Sequence, residues 1–168
     1  PPKHTRLRGF AQKAFTKKLI AEMASRIQQI TDELIDKILE GRKEFDFIDD
    51  FAYPLPINVI AELLGLPVED RDKIRHWSDI LIEIQITEKN KQAIDENSKD
   101  FMDYLKKVFA LRRENPGNDL ISEFLKLEKT GDHMTEDELY STIFLMVVAG
   151  HETTVNLISN GMHALLTH

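Results

Sequence analysis

The chain has 168 residues, of which 22 are Lys or Arg and 29 are Asp or Glu, giving a net charge of -7 at pH 7. This length can bury the core of one domain, and the acidic balance argues against nucleic acid as the main partner. The sequence has no cysteine, which excludes a disulfide framework, a thiolate metal site and a cysteine nucleophile within this chain.

Two further features bear on the compartment. No apolar run approaches the ~18 residues of a membrane span. The first residues lack the basic, apolar and small-residue regions of a signal peptide. We therefore expect a cytoplasmic protein that does not use a membrane.

The chain opens with a basic segment, residues 1–18, which contains six Lys or Arg and no acidic residue. Its two leading prolines suit the first turn of a helix, and the abrupt start reads as an internal cut. His4 and Arg8 are four residues apart and share a helix face, where they could grip a carboxylate from two sides. On spacing alone, a solvated basic helix is the favoured interpretation.

Several helices are predicted next, and we interpret them as scaffold. The strongest begins near Thr16, has Gly41 as its stop and carries a wide apolar stripe. The stripe comprises Leu19, Ile20, Met23, Ala24, Ile27, Ile30, Leu34, Ile35, Ile38 and Leu39. Prolines at 54 and 56 introduce a second helix, near residues 57–64, which ends at Gly65.

The middle of the chain is less uniform. Residues 68–77 predict a helix, but 80–86 fit either a strand or the end of a helix. Residues 88–115 predict a polar helix that stops at a Pro-Gly pair, and a short helix follows at 119–125. A loop is predicted at 130–133.

The last segment organises the sequence. Thr135 and Glu138 form a capping box, and a helix from there to the end would be about 50 Å long. Residues 143–149 are all apolar, which predicts burial on every side. Residues 150–154, Gly-His-Glu-Thr-Thr, then interrupt the run without a turn signal before apolar spacing resumes at Val155. Such a break in local consistency is expected at functional sites.

The residue types at 150–154 predict a particular chemistry. A glycine lets another group lie against the backbone. A Thr hydroxyl can bond the carbonyl one turn back and open the helix locally. A buried carboxylate needs a partner or takes up a proton. Together they predict a helix that passes over a flat group and handles protons beside it.

Residues 149–154, Ala-Gly-His-Glu-Thr-Thr, resemble the Ala/Gly-Gly-x-Asp/Glu-Thr-Thr signature of the cytochrome P-450 haem-thiolate monooxygenases of the soluble bacterial type. In that family the signature lies on a long central helix that crosses the distal face of the haem. The resemblance implies an all-α fold, running from the propionate-binding helix to the long distal helix. Residues 1–168 would form a single partial domain, the central portion of such an enzyme.

The resemblance also implies a haem b cofactor, with its iron, in the full-length protein. His4 and Arg8 match the His-x-x-x-Arg motif on the helix that contacts the haem propionates. Ala149 and Gly150 would provide space above the haem, and Thr153 would also contact the bound group. The cysteine that binds the iron would lie outside the given sequence, so this chain supplies no metal ligand.

The catalytic residues implied by the resemblance are Glu152 and Thr153. Thr153 would hold dioxygen and its accompanying water by hydrogen bonds, and Glu152 would relay protons from solvent. His151 occupies the variable position of the signature and would point away from the haem, so we assign it no role.

The resemblance implies partners as well. The intact enzyme would insert one oxygen atom from dioxygen into an apolar or amphipathic small molecule, with electrons from NAD(P)H. A ferredoxin or flavodoxin would deliver them at the basic helix of residues 1–18, although that helix could simply be solvated. Without the cysteine ligand, this segment alone is not expected to be active.

Other functional classes fit the sequence less well. The zinc motif His-Glu-x-x-His would need a second imidazole at Val155, so it fails, and no Gly-x-Ser-x-Gly elbow supports a hydrolase. The remaining histidines, His76, His133, His163 and His168, show no metal-ligand spacing. The alternatives are an all-helical binding module without catalysis, and a peroxide-using haem enzyme, against which the Glu152–Thr153 pair argues.

Overall fold

The computed structural model describes residues 2–40, 43–81, 87–127 and 134–168. These residues form seven α-helices and no strand, which confirms the all-α prediction. The helices are α1 (Pro2–Ala14), α2 (Lys17–Leu39), α3 (Pro54–Leu64), α4 (Arg71–Leu81), α5 (Lys91–Glu114), α6 (Leu120–Leu127) and α7 (Glu136–Thr167). The predicted stop at Gly41, the ambiguous residues 82–86 and the predicted loop at 130–133 lie outside the described residues.

Local sequence signals account for several helix ends. The Thr16 hydroxyl caps α2 by accepting from the Leu19 amide at 3.1 Å. The predicted capping box of α7 is confirmed, because the Thr135 and Glu138 side chains each bond the other's backbone amide. Gly65 ends α3 with a φ of 80°, a left-handed conformation that glycine adopts without strain.

The core lies mainly between α3 and α7, the pair of helices with the most extensive contact. Ile57 and Leu64 of α3 and Ile143 of α7 are 0% exposed and belong to one apolar cluster. Helices α4 and α5 close a second side of α7 with a set of aromatic rings, in which Phe101 lies 5.4 Å from Trp77. Among the described residues these helices leave one face of α7 uncovered.

The stripe of α2 is only partly core, which corrects the prediction. Leu19, Ile30 and Leu34 are buried, but Ile20 is 49% exposed and Leu39 is 72% exposed. The reason is geometric: within the described residues α2 packs on α3 and on a single π-helical turn, Ile48–Ala52, through one narrow face. Its second apolar face, with Ile35, Ile38 and Leu39, lines an open apolar groove together with Phe51 and with Met162 of α7.

Helix α7 bears on the expectation about membranes. By length and composition alone it is apolar enough to cross a membrane, which we did not expect from the sequence. A helix in the core of a soluble protein passes the same test. In this chain α7 buries Ile143, Val147 and His151 on the side that faces α3.

A buried ion pair joins the ends of α3, α5 and α6. Asp119 is 4% exposed, and its Oδ1 accepts from the Ser122 amide at 2.8 Å, which caps α6. Its Oδ2 lies 3.1 Å from Arg112 Nε, an ion pair whose direction is too poor for a hydrogen bond, and another Arg112 nitrogen donates to the Gly65 carbonyl at 2.8 Å. We call these contacts the Asp119 junction.

A second ion pair fastens α1 to the start of α7. The Arg6 guanidinium binds both carboxylate oxygens of Glu138, and Lys3 lies 3.9 Å from the same carboxylate. Arg6, the amide of Thr135 and Lys3 lower the pKa of Glu138. Because the folded-state pKa is depressed, this contribution to stability is present at neutral pH and is lost as the pH falls through that pKa.

Candidate functional site

Residues 149–154 lie within the continuous helix α7, and one face of that helix is open. Ala149, Glu152 and Thr153 are exposed on this face, since residues three and four apart share a helix face. Leu145, one turn earlier, is 64% exposed, and Leu157, one turn later, is 73% exposed. We call these five residues the open face. It brings both predicted catalytic side chains to one side of α7.

The open face corrects two expectations. Residues 143–149 are not buried on every side, because α3, α4 and α5 cover only the opposite side of α7. The Glu152 carboxylate is exposed rather than buried, so in this structure bulk water solvates its charge. The apolar run therefore indicated a helix surface that requires a partner to cover it. The described helices cover only one side of that surface.

The two Thr hydroxyls bond carbonyls one turn back, as predicted. Thr153 Oγ1 donates to the Ala149 carbonyl at 3.1 Å, and Thr154 Oγ1 donates to the Gly150 carbonyl at 3.3 Å. The helix is nevertheless unbroken at these residues. With its proton used on Ala149, the Thr153 hydroxyl presents its lone pairs to the open face, and it would have to rotate to donate there.

Gly150 faces α3 in this structure, where it serves the scaffold. A Cβ built on Gly150 would come within 2.9 Å of Ile60 Cδ1 and Cγ1 on α3. The missing side chain therefore lets α7 lie close to α3, away from the open face. Of the two residues expected to leave room for a ligand, only Ala149 lies on that face.

We expect Gly150→Ala to lower the free energy of unfolding by about 1 to 2 kcal/mol, because overpacking against Ile60 outweighs the gain in helix propensity. Gly161→Ala is the matched control in the same helix, since a Cβ there meets nothing within 4 Å. It should raise the free energy by up to about 1 kcal/mol. Urea unfolding of both variants measures the difference, and equal effects would contradict this role of Gly150.

His151 points to the side opposite the open face. It is 2% exposed, and its Nδ1 lies 2.8 Å from the Val147 carbonyl oxygen. Its ring meets the Tyr53 ring edge-on, at 6.0 Å between centroids. The expected orientation, away from the ligand-binding side, agrees with this placement.

His4 and Arg8 are both exposed on α1, so either could reach a ligand outside the described helices. The residue that ties α1 to α7 is instead Arg6, which the sequence did not single out. Its partner Glu138 precedes Ala149 by 11 residues, about 16 Å along the helix. Only a large ligand would span the distance between this end of α7 and Ala149.

The open face suits a flat, largely apolar ligand such as the expected haem. Two exposed leucines, Leu145 and Leu157, flank the small side chain of Ala149, and the polar groups of Glu152 and Thr153 stand beside it. Among the described residues no group of three or more His, Asp or Glu could hold a metal ion. A thiolate ligand would come from outside this chain, because the sequence has no cysteine.

Comparison with known proteins agrees with this geometry. The family model described as Cytochrome P-450 matches residues 1–168. Cytochrome P-450 CYP107DY1 of Priestia megaterium is 46% identical over 168 residues, which are 100% of this chain and 41% of the relative. The crystal structure of myxobacterial cytochrome P-450 CYP267B1 in complex with myristic acid matches with a TM-score of 0.93 and 44% identity, covering 100% of this chain and 41% of that one.

A further structure, cytochrome P-450 PksS of Bacillus subtilis 168, matches with a TM-score of 0.87 and 41% identity, over 99% of this chain and 42% of that one. The chain thus spans about two fifths of the length of the relatives that it matches.

Proposed function

Since the chain belongs to the cytochrome P-450 family, we propose that it forms the distal side of the active site in a longer haem-dependent monooxygenase. The whole enzyme inserts one atom of dioxygen into an organic substrate, with electrons from NAD(P)H. The observation that carries the proposal is the open face, where Glu152 and Thr153 stand together beside Ala149. Residues 1–168 are its central portion and would be inactive alone, because the iron-binding cysteine lies elsewhere.

The family is a haem-thiolate family, and when bound the haem supplies the activation of dioxygen. His4 and Arg8, exposed on α1, would bind its propionates by charge-assisted hydrogen bonds. On α7, Ala149 would lie against the flat ring because its side chain is small. Gly150 would act indirectly, by setting the distance between α7 and α3.

Proton handling falls to Glu152 and Thr153. Each turnover consumes two protons, which must cross from bulk water to the reacting oxygen. The Glu152 carboxylate is exposed, so it can exchange protons with solvent. The Thr153 hydroxyl, on the same face, can accept a hydrogen bond from a water that Glu152 also binds. The pair would thus pass protons along one side of α7.

The substrate proposed is an apolar or amphipathic small molecule. An apolar groove of about 290 Å³ lies between α4, α5 and α7, lined among others by Leu81, Phe101, Met102 and Phe144. Ser141 also lines this groove and lies one turn before Leu145 on the same side of α7, so a substrate in the groove could extend toward the open face. Solved relatives form complexes with ligands of this class: myristic acid in one structure and testosterone in another.

The electron donor proposed is an acidic ferredoxin or flavodoxin that docks on α1. Lys13 of α1 and Lys17, the first residue of α2, are exposed there, and complementary charge would steer the encounter. We also propose a cytoplasmic location, because such donors and NAD(P)H occur there.

The experiment is a spectrum of the full-length protein, reduced and exposed to carbon monoxide. Thiolate-bound haem gives a strongly red-shifted Soret band, which we expect. On the same preparation, the rate of electron transfer from ferredoxin should fall as salt rises. A full-length protein that binds no haem would instead support a helical binding module without catalysis. A rate of electron transfer that does not depend on salt would contradict docking of the donor on α1.

A further inference from the structure

His151 is a buried titratable side chain inside the catalytic motif, and the mechanism above does not use it. Among residues 149–153 it alone is buried. A buried imidazole costs free energy unless its polar atoms are bonded, and an apolar side chain would fill the same space without that requirement. Packing alone therefore does not explain why this residue is a histidine.

One contact of the ring is directional. The Val147 carbonyl can only accept, so the 2.8 Å contact requires a proton on His151 Nδ1. This bond joins the ring to the backbone one turn earlier and fixes the orientation of the side chain on α7. A ring that carries one proton is therefore the Nδ1–H tautomer.

The other contact holds the ring against the neighbouring elements. The Tyr53 ring, just before α3, meets it edge-on with an interplanar angle of 86°. The Arg75 guanidinium of α4 lies 3.9 Å from the centre of the Tyr53 ring, and Arg75 also lies 3.7 Å from Asp79. His151 thus rests on the Tyr53 ring, which Arg75 of α4 contacts in turn, and we call the Tyr53 ring with its Arg75 contact the His151 seat.

Holding His151 on one side of α7 determines where Glu152 and Thr153 point on the other. Atoms at the outer radius of a helix lie about 5 to 6 Å from its axis, so a rotation of 10° moves them by about 1 Å. A displacement of that size can cost up to about 100-fold in rate. Gly150 cannot resist such a rotation because it has no side chain, whereas a hydrogen-bonded ring in a seat can.

We propose that His151 is a positioning residue, whose bond to Val147 and contact with the His151 seat fix the rotation of α7 and so aim Glu152 and Thr153. This role rests on the proposed function of that pair. Its two requirements act on different quantities: the Nδ1–H bond to Val147 chiefly governs coupling, and the filled seat chiefly governs stability.

Two variants of the full-length enzyme separate these requirements. His151→Phe fills the seat but has no donor for Val147, and we expect product formed per NAD(P)H to fall about threefold or more, with the substrate Kd unchanged. His151→Asn keeps a donor near the position of Nδ1 but leaves the seat partly empty. It should retain more coupling than His151→Phe and yet have the lower Tm. The same two changes at exposed His163 of α7 serve as controls and should alter neither quantity.

The decisive result is that His151→Asn is better coupled than His151→Phe and yet less stable. If coupling simply follows Tm, so that His151→Asn is the worse variant in both, the role is structural and the proposal is overturned. A second readout needs no turnover: nitrogen-15 NMR of labelled histidines in the reduced carbon monoxide form, assigned by the loss of one signal in His151→Asn. The Nδ1–H tautomer is expected, and the Nε2–H tautomer would overturn the proposal.

Thr153→Ala, measured in parallel, distinguishes this proposal from the proposed function. If Thr153→Ala uncouples the enzyme and His151→Phe does not, the positioning role is wrong and the proposed function stands. If Thr153→Ala leaves coupling intact, the proposed function of the pair fails, and the role of His151 fails with it.

Discussion

Replacing Thr153 by alanine in the full-length enzyme should lower the product formed per NAD(P)H by roughly tenfold or more, while NAD(P)H oxidation itself continues within about twofold. Proton transfer by a positioned group contributes on the order of 100-fold or more to a rate, so losing one member of the pathway diverts turnover to unproductive reduction of dioxygen. The measurement is the ratio of product to NAD(P)H consumed, with peroxide assayed alongside.

Thr154→Ala is the matched control for this prediction. Thr154 makes the same kind of bond to a carbonyl one turn back but lies on the flank of α7, half-buried rather than on the open face. Its removal should leave coupling intact, and Thr153→Ser should restore most of it because the hydroxyl returns. Equal loss of coupling at both threonines would show that a change in the helix, not a hydroxyl on the open face, is responsible.

The second large effect concerns stability, at the Asp119 junction. We expect Asp119→Ala to lower the free energy of unfolding by about 3 to 5 kcal/mol, because it leaves the largely buried Arg112 without its counter-ion. The same change removes the cap of α6. Urea unfolding of the full-length protein, followed by circular dichroism, measures the loss.

Asp103→Ala provides the comparison. Asp103 pairs with Lys106 at 3.1 Å on α5, but the two side chains are 48% and 56% exposed. Surface pairs of this kind contribute about 0 to 1 kcal/mol, so this variant should be nearly as stable as the parent. A loss at Asp119 no larger than the loss at Asp103 would mean that water compensates Arg112 and that the junction is unimportant.

The sequence predicted what local chemistry determines. The capping box at Thr135 and the glycine after α3 mark helix ends because their partners are within a few residues. The order of helices and the place of residues 149–154 on the last of them followed from the same kind of signal.

Contacts between distant residues could not be predicted in this way. Arg6 and Glu138 are 132 residues apart, and nothing near either residue indicates the other. Gly150 illustrates the same limit inside the motif. A glycine there indicates that another group comes close to the helix backbone, but only the structure shows that this group is Ile60. The prediction that residues 143–149 are buried on every side was wrong for a related reason, since an apolar residue such as Leu145 does not reveal which partner covers it.

The ion pair between Arg6 and Glu138 has a consequence for how the molecule moves. The Glu138 carboxylate also accepts from the Thr135 amide at 3.1 Å, so one side chain both holds α1 and starts α7. Helix α1 cannot swing outward without disturbing the first turn of α7, and fraying of that turn releases α1. We therefore expect hydrogen exchange to show α1 and the first turn of α7 opening as one cooperative unit.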